Sequence, residues 1–128
     1  DAFYDKLAEL DMFLLTHTGQ EHSLDDADYT VQAYGNPLRY RRALEKGCKI
    51  IMAHCASEGS DEDLDEEKKQ NERYNAVNSC DLFIRLMRED KYKGQLFGDI
   101  SAITAFKRVE ALKKVIQAGD IHDRLIYG

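Results

Sequence analysis

Four short segments rich in apolar residues recur along the chain. They are Met12 to Thr16, Cys48 to Ala53, Gln95 to Ser101 and Arg124 to Tyr127. The first is too short and too apolar for an exposed helix, which indicates a strand buried on both faces. The other three are interpreted as further strands of the same sheet.

Segments with helical spacing of apolar residues alternate with these strands. Helices are predicted over residues 1–9, 36–47, 74–89 and 105–118. The second begins at Asn36-Pro37, because Asn is a good N-cap and Pro is favoured at the first helical position. Residues 18–34 are predicted to form a long loop. The charged run Ser57 to Arg73 is predicted to be a solvated loop or the frayed start of a helix, and no chemistry is assigned to it.

Strand and helix alternate four times, which predicts an α/β fold with parallel strands joined by right-handed helical crossovers. The candidates are half of a TIM (β/α)8 barrel and a small doubly wound sheet. Polar residues stand at the carboxyl ends of three predicted strands: His17, His54, and Asp99 with Ser101. Both folds bind ligands there, but no glycine-rich phosphate loop follows the first strand, so the sequence favours the barrel.

His17 and His54 are the candidate metal ligands. Neutral imidazole binds zinc and similar ions, and histidines on neighbouring parallel strands can converge on one ion at about 2 Å each. The alternative is that each histidine is only hydrogen-bonded within the fold. The residues themselves leave both interpretations open.

Other polar residues receive weaker assignments. Glu21 and His22 are candidates for substrate binding or proton transfer, with a surface position as the alternative. His122 precedes the last strand, at the barrel face that serves stability rather than catalysis. Cys55 lacks an orienting partner and is expected to be a small buried apolar residue.

The composition fits a single domain, residues 1–128, in a reducing compartment. With 128 residues and 43% apolar content the chain can bury a core. A net charge of -6 argues against a nucleic-acid partner, and no apolar run reaches the roughly 18 residues of a membrane span. Three cysteines without CxxC spacing favour the cytoplasm over a disulfide framework. Both ends of the sequence indicate a fragment of a larger protein.

Four stretches, taken in order, resemble one family. They are THTGQEH (Thr16 to His22), NPLRYRRALEKGCKIIMAHCASEG (Asn36 to Gly59), GDIS (Gly98 to Ser101) and the terminal RLIYG. Through them the chain resembles the amidohydrolase superfamily, in its amidohydrolase-related branch of TIM-barrel metal-dependent hydrolases, which also includes decarboxylases. The resemblance spans nearly the whole chain and corresponds to the second half of the barrel, strands five to eight.

The resemblance implies a divalent metal ion, with zinc expected, and a small-molecule substrate. His17 stands where the family has its fifth-strand metal ligand, and His54 where it has a sixth-strand histidine that is a ligand or a catalytic group. Asp99 and Ser101 would line the substrate pocket. In such enzymes the ion activates a water molecule for attack on a carbonyl-type carbon, and a carboxylate accepts the proton.

Part of the family's site has no counterpart in this sequence. The first-strand His-x-His and the fourth-strand ligand are missing, and the chain ends at Gly128, before an expected Ser-Asp. We therefore expect the segment alone to be inactive and to bind metal weakly. One alternative is a decarboxylase of the same superfamily. Another is a non-catalytic half-barrel that pairs through its open edges with a copy of itself, as a homo-oligomer, or with another half.

Overall fold

The computed structural model describes residues 1–20, 29–67 and 75–128. The helices and strands, in chain order, are α1 (Ala2–Glu9), β1 (Phe13–His17), α2 (Tyr29–Gln32), α3 (Arg41–Leu44), β2 (Lys49–Ala53), β3 (Ser60–Glu62), β4 (Ala76–Asn78), α4 (Ser79–Met87), β5 (Leu96–Asp99), α5 (Val109–Gln117) and β6 (Leu125–Ile126). Within these ranges, no helix has the length and apolar character needed to cross a membrane.

Four strands form one parallel sheet in the order β1-β2-β5-β6. Leu15 lies opposite Ile51, Ile51 opposite Phe97, and Asp99 opposite Ile126. The strands of this sheet are therefore neighbours in the order in which the chain makes them. The predicted α/β class and parallel sheet are confirmed.

The two faces of the parallel sheet are covered unequally by the described residues. Ile50, Met52 and Leu96 project from one face into the main core and are fully buried. On the other face Leu15 is 66% exposed. The prediction that Met12 to Thr16 is buried on both faces is therefore wrong, because successive strand residues point to opposite faces and the core lies against one of them.

Helix α4 forms the centre of the core. The side chain of Asn78 caps it, accepting a hydrogen bond from the amide of Cys80 at 3.1 Å. Phe83 and Met87 on this helix are fully buried. Gly98 on β5 leaves room for the Phe83 ring, since a Cβ at position 98 would lie 2.5 Å from Phe83 Cζ.

The charged run Ser57 to Arg73 contains regular structure in its described part. β3 pairs antiparallel with β4, and the carboxylate of Asp63 is buried, where the Arg85 guanidinium donates two hydrogen bonds to it at 2.8 and 2.6 Å. The prediction of a solvated loop is wrong for residues 57–63, which include β3 and buried acids, because α4 carries the partner that neutralises one of these acids. Residues 64–67 form an exposed turn, as predicted. Residues 68–73 lie outside the described residues.

Several element boundaries differ from the sequence periodicity. The predicted helix 36–47 is a 3-10 turn, Pro37–Tyr40, followed by the short α3, and Asn36 caps the turn as expected. The predicted loop 18–34 contains α2. α4 begins at Ser79 rather than at residue 74, since the residues just before it pair as β4.

The contact between β5 and α4 generates the first prediction. Replacing Gly98 by Ala should lower the free energy of unfolding by about 1–3 kcal/mol, because the added methyl group overlaps a buried ring. Gly94→Ala is the matched control, since a Cβ there meets nothing within 4 Å. Guanidinium denaturation measures both, and equal midpoints for the two variants would contradict the packing argument.

Candidate metal and catalytic site

His17 and His54 lie side by side at the carboxyl ends of two neighbouring strands of the parallel sheet. His17 ends β1 opposite Ala53, the last residue of β2, and His54 follows directly. Their ring centres are 5.8 Å apart, with the ring planes at 68°. The parallel register thus brings together the two histidines that the sequence predicted as a pair.

A left-handed turn carries His54. Three consecutive residues have positive φ, namely His54 at 57°, Cys55 at 51° and Ala56 at 50°. Residues other than glycine rarely adopt this backbone conformation, because it brings Cβ too close to the backbone. Backbone strain of this kind is concentrated at functional sites. The turn is held because Cys55 and Ala56 are fully buried and the Cys55 thiol donates to the carbonyl of Asp99 at 3.3 Å.

Cys55 is therefore a buried structural residue, as predicted. Burial raises the pKa of its thiol, so the reactive thiolate is disfavoured.

Within the described part of the chain, His122 forms no hydrogen bond with His17 or His54. Its ring contacts the backbone carbonyl of Val115 at 2.8 Å.

Asp99 and Ser101 hold the ring of His54. The Nδ1 atom of His54 is 2.8 Å from the carbonyl oxygen of Ser101 and 3.1 Å from its hydroxyl oxygen. That hydroxyl donates in turn to the Asp99 carboxylate. The Asp99 carboxylate also accepts from the backbone amides of Ser101 at 2.9 Å and Gly128 at 3.3 Å. Both residues thus lie beside His54 at the carboxyl ends of the strands, and their predicted part in binding a substrate stays a prediction.

These contacts fix which nitrogen of His54 carries hydrogen. A carbonyl oxygen only accepts, so Nδ1 must donate to Ser101, and the lone pair then belongs to Nε2. In the same way the contact of His17 Nε2 with the carbonyl of Gln20, at 3.3 Å, requires Nε2 to donate. The two rings therefore use different nitrogens for their backbone contacts.

The pKa of Asp99 reflects the hydrogen bonds that its carboxylate accepts. Burial raises its pKa, but hydrogen bonds from the side chain and amide of Ser101, and from the amides of His54 and Gly128, outweigh that effect. The pKa of Asp99 is lowered overall, so the group remains ionised.

The separation of the two ring centres meets one requirement of a shared metal ion. Two histidines that each bind zinc at about 2.0–2.1 Å have ring centres roughly 5–6 Å apart, and the observed separation is 5.8 Å. Over residues 1–20, 29–67 and 75–128 no group of three or more His, Cys, Asp or Glu side chains has the geometry of a metal site. Glu21 and His22, predicted substrate-binding residues, lie outside these ranges.

The sequence did not predict the ion pairs that join Glu58 to Lys107 and Arg108 beside the site, which we call the clasp. Glu58, only 8% exposed at its side chain, contacts Lys107 at 3.0 Å and Arg108 at 3.1 Å. The clasp joins the segment after β2 to the segment after β5. The backbone carbonyl of Glu58 also accepts from the amide of Gln20 at 2.9 Å, so the segment after β1 is joined as well. The Gly59 that follows Glu58 was a visible signal of a tight turn.

Comparisons of the chain with protein-family models, with curated proteins and with solved structures return no match.

The clasp generates a prediction about acid stability. Burial raises the pKa of Glu58, but hydrogen bonds from Lys107 and Arg108 outweigh it and leave the pKa lowered. A carboxyl group of this kind stabilises the fold above its unfolded pKa, about 4.3, and loses that contribution as the pH falls through the folded value. We expect Glu58→Gln to cost about 1–3 kcal/mol at pH 7 and progressively less below about pH 4.3.

Glu110→Gln is the control for this measurement, because Glu110 pairs with Lys113 at the surface and should leave the unfolding midpoint unchanged. Urea denaturation at several pH values gives the comparison. A deficit for Glu58→Gln that stays constant down to pH 3 would contradict the assignment of the charge to the clasp.

Proposed function

We propose that this chain forms half of a TIM (β/α)8 barrel, strands five to eight, in a metal-dependent hydrolase of the amidohydrolase type. Four parallel strands in consecutive order support a barrel over a doubly wound sheet, in which the order reverses. The uneven cover of the sheet supports it as well, because a doubly wound sheet carries helices on both faces and a barrel wall on one.

His17 and His54 would hold a divalent ion, with zinc the first choice for imidazole ligands. When bound, such an ion lowers the pKa of a water molecule toward about 7 and so supplies a nucleophile for a carbonyl-type carbon. Among the residues that the structure describes, His54 is also the one best suited to move a proton, through its Nε2 atom. Glu21 and His22 are proposed to contact a small-molecule substrate.

The observation that carries this proposal is the meeting of two imidazoles at the carboxyl ends of neighbouring parallel strands, 5.8 Å apart. In barrel enzymes that edge carries the catalytic residues. The same pair would serve a decarboxylase of the superfamily, in which the ion holds the substrate. A cytoplasmic location stays a prediction, in keeping with three buried free cysteines.

Metal binding tests the proposal. Because catalytic zinc generally needs three protein ligands and two are proposed here, we expect this chain to bind zinc weakly and to catalyse no hydrolysis. Replacing His17 or His54 by Ala should weaken the binding further, by about tenfold or more. Calorimetric titration with zinc, and with cobalt followed by absorption, measures both effects.

His122→Ala is the matched control, since its ring contacts the carbonyl of Val115 and should leave zinc affinity unchanged. Tight stoichiometric zinc binding or turnover by the 128-residue chain would overturn the expectation of an incomplete site. Zinc binding equal in wild type and in both histidine variants would overturn the metal site itself.

A second candidate function is assembly without chemistry. The face of the sheet that the described residues cover less carries large apolar side chains, among them Leu15 on β1 and Ile126 on β6. Phe13 and Phe97 meet on the same face, with ring centres 5.7 Å apart. A second copy of the chain offers four more parallel strands, the number that an eight-stranded barrel needs.

Self-association tests this candidate. Replacing Leu15 by Lys should weaken association by about tenfold or more, because it puts a charge in the middle of the apolar face. Phe106→Lys is the control, since that ring is 95% exposed in a segment outside the sheet. Sedimentation over a range of concentrations measures the effect, and a monomer at every concentration would eliminate self-assembly.

A further inference from the structure

The hydrogen bonds around His54 run in one direction. The ring donates from Nδ1 to the carbonyl and hydroxyl oxygens of Ser101, and the Ser101 hydroxyl has its own hydrogen committed to Asp99. Because that hydrogen points away from the ring, the hydroxyl meets the ring as an acceptor. The ionised carboxylate of Asp99 thus determines the orientation of a hydroxyl group that His54 must match.

We propose that Asp99 and Ser101 are positioning residues that fix His54 in the tautomer with hydrogen on Nδ1, leaving the lone pair on Nε2. The inference rests on the proposed function only for the use of that lone pair, as a metal ligand or a proton acceptor. It replaces the expectation that both residues bind substrate directly.

The contacts of Asp99 support a positioning role. One carboxylate oxygen accepts from the amides of Ser101 and Gly128, and the other accepts from the Ser101 hydroxyl and, at 3.4 Å, from the amide of His54. The side chain is only 9% exposed. A carboxylate with these partners on both oxygens is engaged in orienting its neighbours rather than in binding a ligand.

The Asp99→Asn variant reverses the chain of hydrogen bonds. The amide oxygen can keep the backbone amides of Ser101 and Gly128, so its nitrogen faces the Ser101 hydroxyl and donates to it. The hydroxyl hydrogen must then turn toward Nδ1 of His54, which favours the tautomer with hydrogen on Nε2. The carbonyl of Ser101 still favours the original tautomer, so the population should shift rather than invert completely.

Nitrogen-15 NMR of the histidine rings reads the tautomer directly. The spectrum is recorded on the metal-free chain at about pH 8.5, where an ordinary histidine with a pKa near 6.5 is neutral. In the wild type the protonated nitrogen of His54 should be Nδ1. In Asp99→Asn we expect about a fivefold shift of the tautomer ratio toward Nε2–H, the amount that one typical hydrogen bond supplies.

Two further variants separate positioning from a general loss of structure. Asp99→Asn combined with Ser101→Ala removes the hydroxyl that transmits the change, so the wild-type tautomer should return. Ser101→Thr keeps a hydroxyl at the same place and should keep the wild-type tautomer. Dispersion of the backbone amide spectrum shows whether each variant is folded, and hydrogen on Nε2 in the wild type would overturn the proposal whatever the variants show.

The outcomes distinguish this inference from the proposed function. Hydrogen on Nε2 of His54 in the wild type, or no recovery in the double variant, overturns the positioning role even if zinc binds to the histidine pair. The predicted tautomers without any zinc binding support the positioning role and count against the metal-dependent function alone.

Discussion

The parallel register of β1 and β2 is the constraint on which the candidate site depends. His17 is opposite Ala53, so the two strands end at the same level and His54 starts the next segment beside the first histidine. A shift by one residue would move the ring of His17 to the other face of the sheet, because side chains alternate along a strand. The 5.8 Å spacing of the rings therefore follows from backbone pairing before any side-chain contact is considered.

The left-handed turn after β2 places backbone strain in this arrangement. Each non-glycine residue in that conformation costs about 1–2 kcal/mol, and His54, Cys55 and Ala56 adopt it in succession. Burial of the last two and the thiol contact to Asp99 offset the strain. The absence of a side chain at Gly98 matters here too, since a Cβ would lie 3.1 Å from the Cys55 sulfur. The core thus stabilises a turn whose non-glycine residues disfavour the left-handed conformation.

The sequence predicted the alternation of strands and helices and the two histidine-bearing strand ends, because both are local patterns. It did not predict the buried acids, since the partner of Asp63 is Arg85, 22 positions away, and composition alone assigns a charged run to solvent. The exposure of one face of β1 was not predicted for a related reason. The strand carries apolar residues on both faces, so its sequence does not indicate which face another layer covers.

The apolar character of the less covered face links the fold to the proposed chemistry. Along β1 the residues on that face are Phe13, Leu15 and then His17, and along β5 they are Phe97 and then Asp99. On each strand, an apolar stretch gives way to a polar group at the carboxyl end. A sheet meant to face water would carry polar residues along its whole length. A barrel wall needs apolar side chains inside and polar ones at its mouth, which is the order found on both strands.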